Sequence, residues 1–336
     1  MVEPAVNVVV ETPVLEVRDL RMFIHADRGT RIVRAVNGLS FSLGAGRTMG
    51  IIGESGSGKS MASLSILRLL PRGARVEAGE VLFGGENLLK KSDSEMRRIR
   101  GRHIAMILQD PMVSLDPLFR VGEQVAEPLR THQGLSGETL RRRVIELLGA
   151  VGIPAPESRF DQYPHQMSGG MLQRIVGAAA ISCGPELLIA DEPTTALDPT
   201  VQAQYLDLLE ELQDRTGLSL IVITHDLGVA ARLCDDVIVM YAGRAAERGS
   251  VRDIFERPAH PYTQALLSTL PGRRAPGEHK RLKTIDGQPP DLAALPPGCP
   301  FAPRCPRADD RCRTETPPEI ALDPTHMAAC WYASDA

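Results

Sequence analysis

The sequence predicts an α/β fold, in which a parallel sheet carries a phosphate-binding loop and a loop-rich C-terminal segment follows. Three observations support this prediction. An apolar strand, a glycine-rich loop and an apolar helix succeed one another over residues 47–70. Further apolar strands end on polar side chains, which a parallel sheet would gather at one edge. From about residue 256 prolines multiply, and four of the six cysteines follow Gly298.

Composition is that of an ordinary soluble, globular chain. The 336 residues suffice for one large domain or two ordinary ones, with 43% hydrophobic and 24% charged residues. A net charge of −4 gives no reason to expect nucleic-acid binding through bulk electrostatics. No apolar run reaches membrane-spanning length, and the N-terminus, with Glu3 and Pro4, lacks the basic start of a signal peptide. We therefore expect a cytoplasmic protein, in which clustered cysteines favour a metal site over disulfides.

The first strand-to-helix junction carries a phosphate-binding loop. The stretch GESGSGKS, Gly53–Ser60, fits the pattern G-x-x-x-x-G-K-[ST] without a mismatch. Its glycines let the backbone curl so that N–H groups face an anion, and the helix N-terminus adds its positive dipole end. Lys59 would reach the β- and γ-phosphates, and Ser60 would hold Mg²⁺. The expected nucleotide-binding residues are Gly53, Glu54, Ser55, Gly56, Ser57, Gly58, Lys59 and Ser60.

Two adjacent carboxylates end another apolar strand, in ELLIADEP at residues 186–193. Burying such a pair is costly unless it meets a cation or faces a polar cleft. Asp191 suits a place beside Mg²⁺, and Glu192 suits orienting or deprotonating an attacking water. The alternative is that these acids cap the following helix, because DEPTTALDP is rich in capping residues.

Two further strands end on groups that phosphate chemistry could use. LSLIVITHD, residues 218–226, contains His225, and IAMILQDP contains Gln109. A lone histidine at a strand end is more often structural than catalytic, but a parallel sheet collects strand C-termini around its ligand. We therefore expect Glu192, His225 and Gln109 to form the catalytic group.

These motifs, together with MSGGMLQR at residues 167–174, resemble the ATP-binding subunits of ABC transporters. The motifs follow in family order within residues 14–255, after an N-terminal tail at residues 1–13. The resemblance implies a P-loop NTPase fold, that is, an ABC-type ATPase with a RecA-like core, a β-subdomain and a helical subdomain that bears the signature. It also implies ATP and Mg²⁺ as ligands.

In that family the signature closes on the nucleotide of a partner subunit, so hydrolysis requires a head-to-tail dimer. The implied signature residues are Ser168, Gly169 and Gly170, and the implied dimer loop is Ala196–Asp198, with Asp198 at its end. The residues that the resemblance places around Mg²⁺ are Ser60, Gln109 and Asp191.

The sequence departs from the family pattern at two places. Met167 and Met171 flank the signature, where many members carry Leu and Gln. The family stacks adenine on an aromatic residue just after the first strand, where this chain has Ile24 with Phe23 beside it. The sequence therefore names no adenine-stacking residue.

Smaller features resemble the peptide/nickel importer branch of the family. The stretches QDPMVSLDP, DPTVQAQYLDLL and RPAHPYTQALL carry this resemblance, and the last begins a C-terminal extension. Members take up dipeptides, oligopeptides or, in some cases, nickel. They combine two transmembrane permease subunits, two ATPase subunits that are often different chains, and an extracytoplasmic solute-binding protein. The resemblance implies a peripheral ATPase on the cytoplasmic face of the inner membrane, in a heterodimer and without a nucleic-acid partner.

Two alternatives to a peptide importer stay open at this point. One is an importer of nickel or another small solute, because specificity resides in the binding protein and permeases. The other is a soluble ABC ATPase that acts on nucleic acid or ribosomes. A single cassette and a net charge of −4 disfavour the second alternative.

The C-terminal extension, residues 256–336, contains four cysteines at wide, uneven spacing: Cys299, Cys305, Cys312 and Cys330. Structural zinc sites usually show pairs about two to four residues apart, which this stretch lacks. Four thiolates with Cys-Pro steps suit a [4Fe–4S] cluster, and the resemblance adds that some members of the branch hold one. Zinc and plain reduced thiols are the alternatives. We expect the other two cysteines, Cys183 and Cys234, to be small buried residues within helices.

Overall fold

In the part of the chain that the structure describes, the strands form two sheets, one of four strands and one of eight. The structure, a computed structural model, describes residues 12–195, 197–270 and 284–335. Most of the expected N-terminal tail, and Ala196 of the expected dimer loop, lie outside the described residues.

The three longest strands all lie in the small sheet. The four-stranded sheet contains β1 (Leu15–Ala26), β2 (Arg31–Leu43), β4 (Ala74–Phe83) and β5 (Glu86–Asn87). The eight-stranded sheet contains β3 (Thr48–Ile52), β6 (Ile104–Ile107), β7 (Leu187–Asp191), β8 (Ser219–Thr224), β9 (Asp236–Tyr241), β10 (Arg244–Ser250), β11 (Ile320–Ala321) and β12 (Met327–Ala328).

Helices connect and cover the strands. Those in the first half are α1 (Lys59–Ile66), α2 (Asp93–Ile99), α3 (Pro111–Ser114), α4 (Val121–Gln133), α5 (Gly137–Ala150) and α6 (Pro156–Phe160). Those in the second half are α7 (Gly169–Ile181), α8 (Pro199–Thr216), α9 (Leu227–Leu233), α10 (Val251–Glu256), α11 (Pro261–Ser268) and α12 (Asp310–Thr314).

The large sheet has a parallel centre. Its strand order is β11-β12-β10-β9-β3-β8-β7-β6, and the five strands from β9 to β6 run parallel. Every residue of β3, β7 and β8 is buried. Continuous apolar strands of this kind are expected where both faces of a parallel sheet are covered.

Successive residues of the central strands point into two different cores. Leu188 packs with helix residues such as Val125 of α4 and Val144 of α5. Its neighbour Ile189 packs with residues of the antiparallel sheet, such as Leu15 of β1. The parallel sheet therefore lies between a helical layer and the small sheet, because side chains alternate along each strand.

The predicted elements are confirmed with adjusted ends. The amphipathic helix expected over residues 137–152 is α5, which ends at Ala150. The helix expected to continue to Pro71 ends at Ile66, because Arg68 takes a left-handed backbone conformation with φ 53°. Cys183 and Cys234 both lie just past helix ends rather than within helices, with Cys234 buried and Cys183 half-buried.

The C-terminal segment extends the large sheet. β12 pairs antiparallel with β10, so that Glu247 faces Ala328 and Arg248 faces Met327. β11 then pairs with β12 at the sheet edge. Among the described residues, no helix combines the length and the hydropathy that crossing a membrane requires.

Candidate functional site

The predicted site residues follow four adjacent parallel strands. β3 leads into the phosphate loop, β8 leads to His225, β7 ends on Asp191, and β6 is followed by Gln109. Their C-terminal ends share one edge of the sheet because β3, β8, β7 and β6 are neighbours in that order. The structure therefore brings together groups that are up to about 170 residues apart in sequence, from Gly53 to His225.

The phosphate loop runs tightly against the neighbouring backbone, and this requires glycine at two positions. A Cβ at Gly53 would lie 2.3 Å from the carbonyl oxygen of Met240, and one at Gly58 would lie 2.1 Å from that of Ala35. Gly58 also has φ 103°, a conformation that other residues rarely adopt. The conformation of the loop is thus restricted by the neighbouring backbone as well as by its own glycines.

Lys59 is buried at the first position of α1. Its Nζ donates hydrogen bonds to the carbonyl oxygens of Gly53 and Glu54 at 2.7 and 2.9 Å. Burial lowers the pKa of the Lys59 amine, while the nearby carboxylates of Glu192 and Asp191 oppose that shift. The ammonium group therefore lies where negative charge on a ligand would stabilise it.

Asp191 is a buried carboxylate with one unsatisfied oxygen. Its Oδ1 has no hydrogen-bond partner although it is inaccessible to solvent. Burial raises the pKa of the Asp191 carboxyl, and the neighbouring Ser60 hydroxyl only partly offsets this. An orphaned carboxylate oxygen beside a hydroxyl is the donor set that a hard cation such as Mg²⁺ prefers.

Glu192 is the point at which the predicted catalytic residues meet. Its Oε2 accepts hydrogen bonds from Gln109 Nε2 at 3.2 Å and from Thr195 Oγ1 at 2.9 Å. Its Oε1 lies 3.1 Å from His225 Nδ1. Burial alone would raise the pKa of the Glu192 carboxyl, but the hydrogen bond from Thr195 and the nearby His225 ring outweigh it and hold the pKa below its usual range. The carboxylate therefore stays ionised, as a base or water-orienting group requires.

The capping alternative for these acids does not hold. The N-cap of α8 is Asp198, whose Oδ1 accepts hydrogen bonds from the N–H groups of Thr200 and Val201 at 3.1 and 3.0 Å. Glu192 instead takes a left-handed conformation, with φ 48°. A strained backbone is common where a side chain must be aimed at a ligand.

The expected signature lies at the start of α7, in the helical layer. Ser168 is the N-cap and accepts a long hydrogen bond of 3.4 Å from the N–H of Met171. Ser168 and Gly169 are exposed, and Gly170 is half-buried. The helix packs mainly on α3, α4, α5 and β6. Its free N-terminus therefore faces solvent, where backbone N–H groups can meet an anion from outside the chain.

The two candidates for adenine stacking lie on β1. Ile24 pairs across the small sheet with Val33 and packs against the core of that sheet. Phe23 is half-buried.

Sequence reasoning missed a group of tail residues that contact the phosphate loop. Arg304 forms a two-pronged ion pair with Glu54, with distances of 2.7 and 3.0 Å. The hydroxyl of Tyr262, at the second position of α11, accepts a hydrogen bond from the N–H of Glu54 at 2.8 Å. The HPYTQALL stretch marked Tyr262 only as part of a resemblance, and nothing local in the sequence marked Arg304.

The four tail cysteines converge on one small pocket. Cys299, Cys305, Cys312 and Cys330 line it together with aromatic and proline side chains. Burial raises the pKa of the Cys299 thiol to about 11, and it also raises the pKa of Cys305 and Cys312. A bound cation would reverse these shifts by stabilising thiolates.

The sulfurs are not collapsed around a single point. In the described part of the chain, the ligand atoms of at least three His, Cys, Asp or Glu residues lie within 4.8 Å of one another only at Asp253, Asp323 and His326. Arg257 already supplies positive charge there, since it pairs with both Asp253 and Asp323.

Two family models match the chain. One, described as ABC transporter, matches residues 36–195, which span the phosphate loop, the signature and β7. The other, described as the C-terminal region of oligopeptide/dipeptide transporters, matches residues 246–312. The second match includes Arg304 and three of the four tail cysteines.

Curated relatives match almost the whole chain. The dipeptide transport ATP-binding protein DppD of Bacillus subtilis is 50% identical over 319 residues, 95% of this chain and 94% of that protein. The oligopeptide transport ATP-binding protein OppD of Salmonella typhimurium is 48% identical over 317 residues, 94% of this chain and 93% of that protein.

Solved structures show the same cassette fold. A dimeric structure of MJ0796, described as a bacterial ABC transporter cassette, superimposes with a TM-score of 0.64 at 29% identity, over 71% of this chain and 99% of that one. A dimeric post-hydrolysis state of the same cassette, bound to ADP and Pi, gives the same values. The chain therefore belongs to the ABC transporter family, as an ATPase of the branch that carries the oligopeptide/dipeptide transporter C-terminal region.

Proposed function

We propose that this chain is the ATP-hydrolysing subunit of an importer of dipeptides or oligopeptides. The observation that carries the proposal is the ionised Glu192 carboxylate, which Gln109, Thr195 and His225 contact beside the phosphate loop. The transport ATP-binding proteins DppD and OppD, which match over more than nine-tenths of this chain, support the substrate class.

The site residues take distinct roles in this proposal. The loop from Gly53 to Ser60 cradles the phosphates through its N–H groups, and Lys59 neutralises their charge. Ser60, Asp191 and Gln109 would hold Mg²⁺, which supplies Lewis-acid stabilisation of phosphate charge. Glu192 accepts a proton from, or orients, the attacking water, and His225 fixes the Glu192 carboxylate.

A second ATPase subunit completes the site. The exposed N-terminus of α7, with Ser168, Gly169 and Gly170, is proposed to close on the γ-phosphate held by the partner, and Asp198 lies in the facing dimer loop. The dimeric MJ0796 structures support this arrangement. The partner is proposed to be a different chain, in a heterodimer.

An exposed apolar segment around and after Gln109 supports docking to membrane permeases. Its large side chains are between 44% and 80% exposed, at Leu108, Met112, Val113, Leu118 and Phe119. Exposed apolar side chains so close together in sequence are unusual on a monomer and indicate an interaction surface. We place two transmembrane permease subunits there, at the cytoplasmic face of the inner membrane, with an extracytoplasmic solute-binding protein joining through them.

The cysteine pocket is proposed to hold a [4Fe–4S] cluster. The four cysteines line one pocket, and their spacing in the sequence lacks the close pairs that are usual in structural zinc sites. A cuboidal cluster takes one thiolate on each iron, which matches four cysteines. The proposed ligands are Cys299, Cys305, Cys312 and Cys330. Iron and acid-labile sulfide analysis of anaerobically purified protein tests this, and zinc without iron would contradict it.

The function is tested in the assembled transporter with Glu192→Gln. We expect the variant to bind ATP normally and to lose at least about 100-fold in ATPase turnover, because a general base contributes that much or more. Glu186→Gln is the matched control, since it removes the same charge next to the same strand at an exposed position. Near-normal turnover in Glu192→Gln would overturn the assignment.

Uptake assays test the substrate class separately. Proteoliposomes that contain the complete complex should accumulate labelled di- and oligopeptides in an ATP-dependent manner. Uptake of Ni²⁺ without peptide uptake would overturn the peptide proposal and leave the ATPase assignment intact.

A further inference from the structure

Glu54 in the phosphate loop is held at three points. Its N–H donates to the Tyr262 hydroxyl at 2.8 Å, its carbonyl accepts from Lys59 at 2.9 Å, and its carboxylate pairs with Arg304. Two of these three partners come from the C-terminal segment, more than 200 residues further along the chain. The loop conformation therefore depends on contacts from outside the nucleotide-binding cassette.

Arg304 is built into the junction between the tail and the loop. Its side chain is only 4% exposed. Besides Glu54, the guanidinium donates to the Tyr241 hydroxyl at 3.2 Å and to the backbone carbonyls of Asp286 and Ile285 at 2.9 and 3.3 Å. The planar guanidinium can make all of these hydrogen bonds in one orientation only. Arg304 therefore fixes the position of the Glu54 carboxylate.

The same junction adjoins the cysteine pocket. Cys305 directly follows Arg304, and the ring of Phe301 stands edge-on to Tyr241 at 5.3 Å and tilted to Tyr262 at 5.4 Å. Phe301 itself lines the cysteine pocket. A movement of the residues that line the pocket would therefore displace Arg304 and Tyr262, the two tail residues that hold Glu54.

We propose that Arg304 is a positioning residue for ATP binding, through which the C-terminal segment holds the phosphate loop in its nucleotide-binding conformation. The inference rests on the proposed ATP-binding role of that loop. Arg304 acts in two ways: it fixes the Glu54 backbone through the side chain, and it neutralises a carboxylate that would otherwise repel the nucleotide phosphates. Tyr262 also holds Glu54, because its hydroxyl accepts a hydrogen bond from the Glu54 backbone N–H.

The test measures KM for ATP and kcat in the assembled transporter for Arg304→Gln. We expect KM to rise about tenfold, the scale of one lost charge-assisted hydrogen-bonding pair. We expect kcat at saturating ATP to change by less than about twofold, since Arg304 does not touch the reacting atoms. Arg311→Gln is the matched control, because the Arg311 side chain forms an ion pair with Glu315 and stacks on the Trp331 ring, and both partners lie in the tail. An unchanged KM in Arg304→Gln overturns the proposal.

A double-mutant comparison separates positioning from general damage to the tail. In a Glu54→Gln background, Arg304→Gln should change KM by less than about twofold, because the carboxylate it neutralises is gone. An equal rise in both backgrounds would mean that Arg304 only stabilises the tail, and would overturn the proposal. Tyr262→Phe removes only the hydroxyl that accepts a hydrogen bond from the Glu54 N–H and should also raise KM.

Should Arg304→Gln fail to fold, Tyr262→Phe decides the question, and an unchanged KM there contradicts the inference. Failure of this inference is distinguishable from failure of the proposed function. In the first case wild-type and variants bind ATP equally well. In the second case the wild-type complex neither binds nor hydrolyses ATP.

Discussion

His260 is a neutral, buried histidine at the N-terminus of α11. His260 is 4% exposed, and its Nδ1 accepts a hydrogen bond from the N–H of Tyr262 at 3.0 Å. Burial lowers the pKa of the ring to about 4, although the nearby Glu247 carboxylate attracts a proton. Protonation would put a charge into an apolar site and would also remove the acceptor that caps the helix.

A mildly acidic pH should therefore lower the free energy of unfolding, because burial disfavours protonation of His260 in the folded state. The unfolded chain binds this proton with an ordinary pKa of 6.5 and the folded chain with a pKa of about 4, so the unfolded state takes up more protons between those values. The stabilisation is present above about pH 6.5 and is lost as pH falls towards 4, by roughly 2 kcal/mol between about pH 7 and pH 5.

Urea unfolding of the wild type and of His260→Asn at both pH values measures this loss. Asn keeps a side-chain acceptor for the Tyr262 N–H and does not titrate, so its free energy of unfolding should fall less with acid than that of the wild type. Parallel pH profiles for the two proteins would show that His260 is not the responsible group.

Residues differ in how far the sequence reveals them. The phosphate loop is predictable because its chemistry needs eight consecutive residues, and the structure gives each glycine the close approach or φ angle that explains it. Arg304 is not predictable, because its partner Glu54 lies 250 residues away and nothing nearby distinguishes it from the other tail arginines. A long-range ion pair leaves no local pattern.

Helix packing in the signature-bearing layer depends on a small residue in α4. A Cβ at Gly122 would lie 2.4 Å from two ring atoms of Phe160, which is buried at the end of α6. Arg141 of α5 stacks on that ring at 4.2 Å. The Phe160 ring therefore has little room to move away from a larger side chain. The contact joins three helices, α4, α5 and α6.

Gly122→Ala should therefore destabilise the protein, despite the higher helix propensity of Ala. We expect a loss of about 1–3 kcal/mol from overpacking. Gly149→Ala in α5 is the matched control, because its Cβ would meet nothing nearer than Pro156 at 3.9 Å. There the better helix propensity should stabilise the protein by up to about 1 kcal/mol. Thermal melting of both variants measures the effects, and equal shifts in one direction would contradict the packing argument.

Elements are predictable in proportion to their length and burial. β3, β7 and β8 are continuous apolar runs that are buried throughout, so the sequence marks them clearly. β11 and β12 have two residues each, which is too short for any periodicity. Their existence depends on an available edge at β10, which is a property of the folded sheet.

At the scale of the whole molecule, the C-terminal segment is attached to the ATPase core at separate points. Its β12 pairs with β10, its aromatic residues pack with Tyr241, and Arg304 reaches the phosphate loop. A further buried attachment is at Glu247 on β10, which is 1% exposed. Its carboxylate accepts hydrogen bonds from the N–H groups of Ala259 and His260, at 2.8 and 2.9 Å, and lies 2.7 Å from His326 Nε2.

Glu247→Gln should loosen the C-terminal segment before the rest of the molecule. An amide has one acceptor oxygen in place of two, so a buried N–H or ring nitrogen loses its partner, at a cost of about 3 kcal/mol. Hydrogen exchange of the β12 amides should then become faster than exchange in β3 or β8. Glu319→Gln is the matched control, because its pair with Arg248 also joins β10 to the tail but lies at a half-exposed position, where an ion pair contributes at most about 1 kcal/mol. If the two variants exchanged β12 amides at equal rates, Glu247 would not be the principal attachment.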